Sequence, residues 1–194
     1  MIDFFLELDK NLFIELNSYH AEWLDTIMVV ISHKLTWVPL YLAIVYFIFR
    51  TYGIKGVAAV ICIALTIVLA DQITSTFMKP FFARLRPTHD PELRDLVHIV
   101  NGYRGEKFGF ASSHAANTFG LALFVFFLFR DLTRQVRWMF LWALVVGYSR
   151  IYLGVHYPGD IIVGAVVGMI CATGCFMLYR KISIAMDRSK KDVR

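Results

Sequence analysis

Apolar residues open the chain at helical spacing: Met1, Phe5, Leu8, Leu12 and Leu16 fall on one stripe, and Asp3, Glu7, Lys10 and Glu15 lie mostly off it. The pattern predicts an amphipathic helix lying in a membrane interface, within residues 1–20. It lacks the basic start and continuous apolar core of a signal peptide. Two short apolar runs follow, about Ala21–Ser32 and Leu35–Phe49, broken at His33-Lys34. Each falls below the ~20 residues of a perpendicular span, and both are taken as crossings. Gly56 to about Met78 spans easily, although it carries Asp71 and Gln72. An intramembrane carboxylate is costly, so Asp71 is expected to partner a nearby cation. Residues 79–112 form one long polar insertion, expected to act as a catalytic or lid loop. Three more apolar runs follow, from Ser112 to Phe129, Trp138–Tyr148 and Ile161–Tyr179. The expected fold is all-α, a polytopic bundle of about six transmembrane helices preceded by the interfacial helix. Residues 181–194 read as a frayed basic tail.

Composition agrees with the pattern. The 194 residues are 58% hydrophobic and 18% charged, and a soluble domain of this length would carry more charge. The loops are too short to fold independently, so residues 1–194 form one membrane-embedded domain. The net charge of +5 does not indicate a nucleic-acid partner, because no basic cluster is interleaved with aromatics. Cys62, Cys171 and Cys175 all lie in apolar runs and read as packing residues, neither disulfides nor metal ligands.

Lysine and arginine set the orientation. With six spans, the loops at 50–55 and 130–137 and the C-terminus share one side with eleven such residues, or twelve if Lys10 joins them. The other side has eight, despite holding the long insertion. The basic side is therefore cytoplasmic. Residues 79–112 and 149–160 face outward, to the periplasm or exterior of a bacterial inner membrane.

The outward loops concentrate chemistry. Ser149 to Asp160 contains Arg150, a planar anion clamp, and His156, a nucleophile or proton carrier near neutral pH. Pro158 suits the first position of a helix, which puts Asp160 in the first turn, within reach of His156. A carboxylate on the far imidazole nitrogen fixes the tautomer and raises nucleophilicity. Lys79 and Arg86 are seven apart, so two helical turns would put both on one face. Ser112 is a good N-cap, which directs the following backbone N–H groups, with Ser113 and His114, toward a bound anion. Three cations and a helix N-terminus make a phosphate cradle, and two histidines supply an attacking group and a proton donor. No carboxylate cluster suits magnesium, and neither a metal nor another cofactor is expected.

Lys79-x6-Arg86-Pro87, Ser112-Ser113-His114 and Ser149-Arg150-x5-His156-x3-Asp160 together resemble the three signature motifs of the type 2 phosphatidic acid phosphatase superfamily. Its soluble relatives include vanadium haloperoxidases and bacterial acid phosphatases. The resemblance covers roughly residues 56–180. The middle motif departs, reading Ala111-Ser112-Ser113-His114 where the family usually has Pro-Ser-Gly-His. The change adds a side chain where backbone approaches phosphate.

The resemblance implies His156 as nucleophile forming a phosphohistidine, Asp160 orienting it, and His114 protonating the leaving oxygen. Lys79, Arg86, Arg150, Ser112 and the backbone at Ser113 would hold the nonbridging oxygens, without metal. The function expected is an outward-facing lipid phosphate or diphosphate phosphatase. Candidate substrates are undecaprenyl diphosphate, lipid A phosphates, phosphatidylglycerol phosphate and phosphatidic acid. A phosphotransferase would pass the same phosphate to an acceptor alcohol. A non-enzymatic lipid carrier or channel would have no need of His156.

Overall fold

The structure, a computed structural model, describes the backbone of residues 2–192 and the side chains of residues 3–188, and it is helical with irregular connections among them. In chain order the helices are α1 (Ile2–Ser18), α2 (Glu22–Ser32), α3 (Val38–Tyr52) and α4 (Lys55–Asp71). A π-helical stretch, Gln72–Met78, leads from α4 into the single turn α5 (Lys79–Phe82). After the insertion come α6 (Ser113–Phe129), α7 (Trp138–Tyr152) and α8 (Pro158–Asp192). Three stretches are long and apolar enough to cross a membrane, Lys34–Tyr52, Lys55–Phe82 and Pro158–Arg188, and α6 is a shorter apolar helix.

The break at His33-Lys34 does not reverse the chain. Asp25 accepts a hydrogen bond from the Tyr152 hydroxyl, Ser32 one from Arg150, and Trp37 and Tyr41 pack edge-on to Trp142 at 5.5 and 6.4 Å. Thus α2 and α3 run in line along α7, joined by a 3-10 turn at Lys34–Trp37. The backbone freed at that joint is satisfied locally: Thr36 Oγ1 donates to Val30 O at 2.6 Å and Trp37 Nε1 to Ile31 O at 2.8 Å. The two runs expected to cross separately form one traverse. With α4–α5, α6, α7 and α8 the chain traverses the bundle five times instead of about six. The N-terminus therefore lies at the insertion's end, where Lys10 meets Asp90 at 3.2 Å and Glu92.

α6 and α8 form the centre. A Cβ on Gly164 would overlap the carbonyl oxygen of Ser112, and one on Gly168 that of Ala116. Glycine at this four-residue spacing lets the backbones touch, as in tightly associated membrane helices. The approach also pins the start of α6 to the first turn of α8: Ser112 N–H donates to Asp160 O at 3.0 Å. Below, Ile48, Cys62, Phe124, Val125, Ala172 and Cys175 fill the core, and the three cysteines are buried and unpaired, as packing residues are.

At the far end Tyr52 packs on Phe129 and Tyr179, and Lys55 donates to Asp187 at 2.6 Å. Asp187 belongs to α8, which continues as helix through Asp192, where a frayed tail was expected from 181. Lys190, Lys191 and Arg194 lie outside the described side chains. α7 also runs longer than its apolar stretch. It ends at Tyr152, so Ser149 and Arg150 occupy its last turn, and the chain turns only at Gly154 (φ +72°).

Candidate active site

His156 follows that turn, and Pro158 opens α8 two residues later. Asp160 is fully buried and gathers three donors. Its Oδ2 lies 3.2 Å from His156 Nδ1 and accepts the Tyr157 N–H at 3.1 Å, while Oδ1 accepts from Arg84 Nη1 at 3.0 Å. The other imidazole nitrogen, Nε2, is 3.2 Å from Arg86 Nη1. A guanidinium only donates, so the lone pair sits on Nε2 and the proton on Nδ1, toward Asp160. This is the nucleophilic tautomer. Burial first, then the positive charges of Arg86, Arg150 and Lys79, hold the imidazole well below its usual titration range.

Lys79 and Arg86 reach the site by a route other than the expected helix face. The helix stops at Ala83, which is left-handed (φ 45°). The chain continues extended, with Arg86 N–H donating to Lys107 O at 3.1 Å and Gly109 N–H to Arg84 O at 3.0 Å. The pairing turns Arg86 toward Phe108 O and Val155 O, which accept from it at 3.2 and 3.1 Å. Lys79 lies 3.6 Å from the exposed Glu106 carboxylate.

At the start of α6, Ser112 caps the helix by accepting from the Ala115 N–H at 3.4 Å. It is wholly buried and is not among the residues lining the cavity. The Ser113 hydroxyl lies 3.0 Å from Thr74 Oγ1 and 2.7 Å from Ser75 Oγ, both in the π-helical stretch. Arg150 donates to the Ser32 hydroxyl and, at 3.2 Å, to the Tyr103 hydroxyl, and its buried Nε has no partner among the described residues.

Lys79, Arg86, Ser113, His114, Arg150 and His156 all line one cavity of about 780 Å³. Asp160 stands behind His156. Asp71 lies on the wall but forms none of the ion pairs among the described residues, so the expected cation partner is not engaged. The far wall brings residues no motif flagged: Lys34, Trp37, Tyr41, Tyr103, Asn117 and Trp142. Arg84, which holds Asp160, was also unforeseen. It lies inside the first motif's variable stretch, where spacing says nothing about direction. Among the described residues no three His, Cys, Asp or Glu side chains cluster as a metal site.

The PAP2 superfamily model matches residues 59–184. The chain is 44% identical over 175 residues to the lipid A 4'-phosphatase of Bacteroides thetaiotaomicron, covering 87% of this chain and 75% of that protein. It is 40% identical over 181 residues to the lipid A 4'-phosphatase of Porphyromonas gingivalis, covering 92% and 75%. The crystal structure of Aquifex aeolicus LpxE superposes with a TM-score of 0.64 at 27% identity, over 88% of this chain and 95% of that one.

Proposed function

The chain belongs to the PAP2 superfamily and is a membrane lipid phosphatase, and from that premise we propose that it hydrolyses the phosphate of a lipid A-type glycolipid at the outer membrane face through a phosphohistidine on His156. The observation that carries the mechanism is the line Asp160–His156–Arg86. It keeps a neutral imidazole with its Nε2 lone pair toward a cation-lined cavity.

An arriving phosphate oxygen replaces Nε2 as the acceptor for Arg86. Nε2 then attacks phosphorus, the bond to the leaving oxygen breaks, and His114 donates the proton that oxygen needs. Asp160 stabilises the positive charge growing on the imidazole. Lys79, Arg86 and Arg150 neutralise the nonbridging oxygens, where transition-state charge develops. In the second half His114 takes a proton from water, water oxygen attacks phosphorus, and the phosphorus–Nε2 bond breaks to release phosphate and neutral His156.

Two observations support a sugar-bearing leaving group. The relatives at 44% and 40% identity are lipid A 4'-phosphatases. The cavity beside the cradle has the aromatic wall of Trp37, Tyr41 and Trp142, and the buried Trp142 Nε1 and Asn117 Oδ1 have no partner within the described chain. A hydroxylated or amidated ring can satisfy both, whereas a polyisoprenyl chain would leave them unmet. Five traverses with the short basic loops Arg50–Lys55 and Arg130–Arg137 at the far end support an outward-facing site and a cytoplasmic C-terminus.

The test is phosphate release by purified protein from the four candidate lipids, with His156→Ala and His114→Ala alongside. The reading requires the glycolipid to be turned over fastest and both variants to lose turnover while purifying normally. Full activity in either variant removes the mechanism, and preference for undecaprenyl diphosphate removes the substrate assignment.

A further inference from the structure

α1 carries two stripes with different surroundings. Phe4, Phe5, Leu8 and Leu12 turn away from the rest of the chain and are 41% to 65% exposed. Asp9, Phe13 and Asn17, four residues apart, face inward, and each grips the segment around His156 at a different point. Asp9 Oδ1 accepts the Gly159 N–H at 2.7 Å. Its Oδ2 lies 2.8 Å from Arg84 Nη2, on the same guanidinium that holds Asp160. Phe13 is fully buried and packs edge-on against Tyr157 at 5.4 Å between ring centres. Asn17 donates to Ile151 O at 3.1 Å and Tyr152 O at 2.8 Å, and accepts the His98 N–H at 2.8 Å.

The gripped residues flank His156 on both sides in sequence. The turn carrying the nucleophile is therefore held at 151–152 before it and at 157 and 159 after it, from one rigid helix. A helix serving only to cover apolar surface has no use for a carboxylate on the guanidinium behind the catalytic pair. The outward stripe sits at the same end as the exposed rings of Tyr19, Trp23, Phe81 and Phe82. Exposed aromatic rings at the ends of membrane-crossing helices mark the depth of the lipid headgroups.

We propose that α1 is a lipid-seated brace of the catalytic turn: its outer stripe rests in the outer bilayer surface, and Asp9 and Asn17 are positioning residues that hold His156 and Asp160 in line with the cavity. This rests on the role given to His156 above.

Asp9 acts through charge as well as position. The charged and titratable groups around His156 are Asp160 on α8, Lys79 on α5, Arg84 and Arg86 in the insertion, His114 on α6 and Arg150 on α7. Removing the Asp9 carboxylate makes this environment more positive, which moves the protonation of His156 to lower pH. Removing the Arg84 charge does the opposite.

The experiment measures kcat and KM against pH for the full chain in lipid vesicles. Asp9→Asn should lower kcat about tenfold with KM within about twofold, since misplacing a reacting group costs turnover more than binding. Its acid limb should move to lower pH and that of Arg84→Gln to higher pH, while substrate ionisation is common to both. A helix with a purely structural role would lower active protein in Asp9→Asn without moving its limb, whereas the Arg84→Gln limb moves in either case because Arg84 touches Asp160 itself. If Asp9→Asn does not accumulate, Asn17→Ala carries the kcat–KM split, and unchanged kcat in it overturns the proposal.

The lipid seat is read separately, from a nitroxide on Leu8→Cys in phosphatidylethanolamine–phosphatidylglycerol vesicles. Greater collision with oxygen than with a water-soluble nickel chelate is expected. A water-exposed label, or dipolar broadening from a second copy, overturns the bilayer as partner. A wild type inert on all four lipids overturns the function and this inference with it. An active wild type whose Asp9→Asn variant keeps kcat and both limbs overturns this inference alone.

Discussion

Ser113 stands where the family usually has glycine, and its hydroxyl is engaged with Thr74 and Ser75. Ser113→Gly should therefore cost stability and spare chemistry. Losing two neutral hydrogen bonds and adding backbone freedom predicts about 1–3 kcal/mol of destabilisation, with kcat within about twofold. Thermal unfolding in detergent and turnover of the same preparation check both halves. His156 makes a pH prediction. Its folded-state titration is depressed, so the unfolded chain binds the proton more readily between the depressed value and the ordinary one. Stability from this group is complete above an ordinary imidazole pKa, about 6.5, and is lost as pH falls below it. The nucleophile stays neutral through the same window. Catalytic efficiency should consequently persist to lower pH than a free imidazole allows, measured as the acid limb of kcat/KM in the wild type, which reports the unliganded enzyme.

The elements place these residues by contacts that spacing does not encode. α6 and α8 touch because Gly164 and Gly168 leave no side chain between them. Gly168→Ala would drive a methyl into the Ala116 carbonyl, and separating the helices would also pull Ser112 N–H from Asp160 O. A destabilisation of about 3 kcal/mol or more is expected, read as loss of folded protein and of turnover together. The π-helical stretch at Gln72–Met78 is a second such device. Thr74 returns its hydroxyl to Ala70 O at 2.8 Å and also meets Ser113, which ties α4 to α6 one turn before Lys79. Its sequence, Gln72-Ile73-Thr74-Ser75-Thr76, reads as continuing helix, and the widened turn lies where Thr74 and Ser75 meet Ser113 of α6.

Across the whole molecule the joint at His33–Trp37 decides which end holds the N-terminus. Because α2 and α3 traverse once, α1 and the insertion share an end, and the Arg130–Arg137 loop lies at the other. In intact cells an impermeant maleimide should label Ser18→Cys and reach Gln135→Cys only after permeabilisation. A sixth crossing would place Ser18 inside and reverse the first result. The native cysteines do not interfere, since all three are buried.

Residue identity and spacing alone determined the helical membrane class, the three motifs and the His156–Asp160 pair. The class follows from apolar runs that water cannot solvate, and the pair from the four-residue spacing that Pro158 makes helical. Ser112 as a helix cap was equally legible, because capping is a local bond. What spacing could not reach were the long-range partners. Lys79 and Arg86 were expected on one helix face, but they meet because the chain leaves the helix at Ala83 and pairs with Lys107–Gly109. Arg84 reaches Asp160 across 76 residues and its other nitrogen meets Asp9, and no periodicity records either contact. The joint between α2 and α3 had the same ambiguity. Two short apolar runs separated by a polar break fit a reversal or a straight continuation equally well, and only the packing of Ser32, Trp37 and Tyr41 along α7 chose between them.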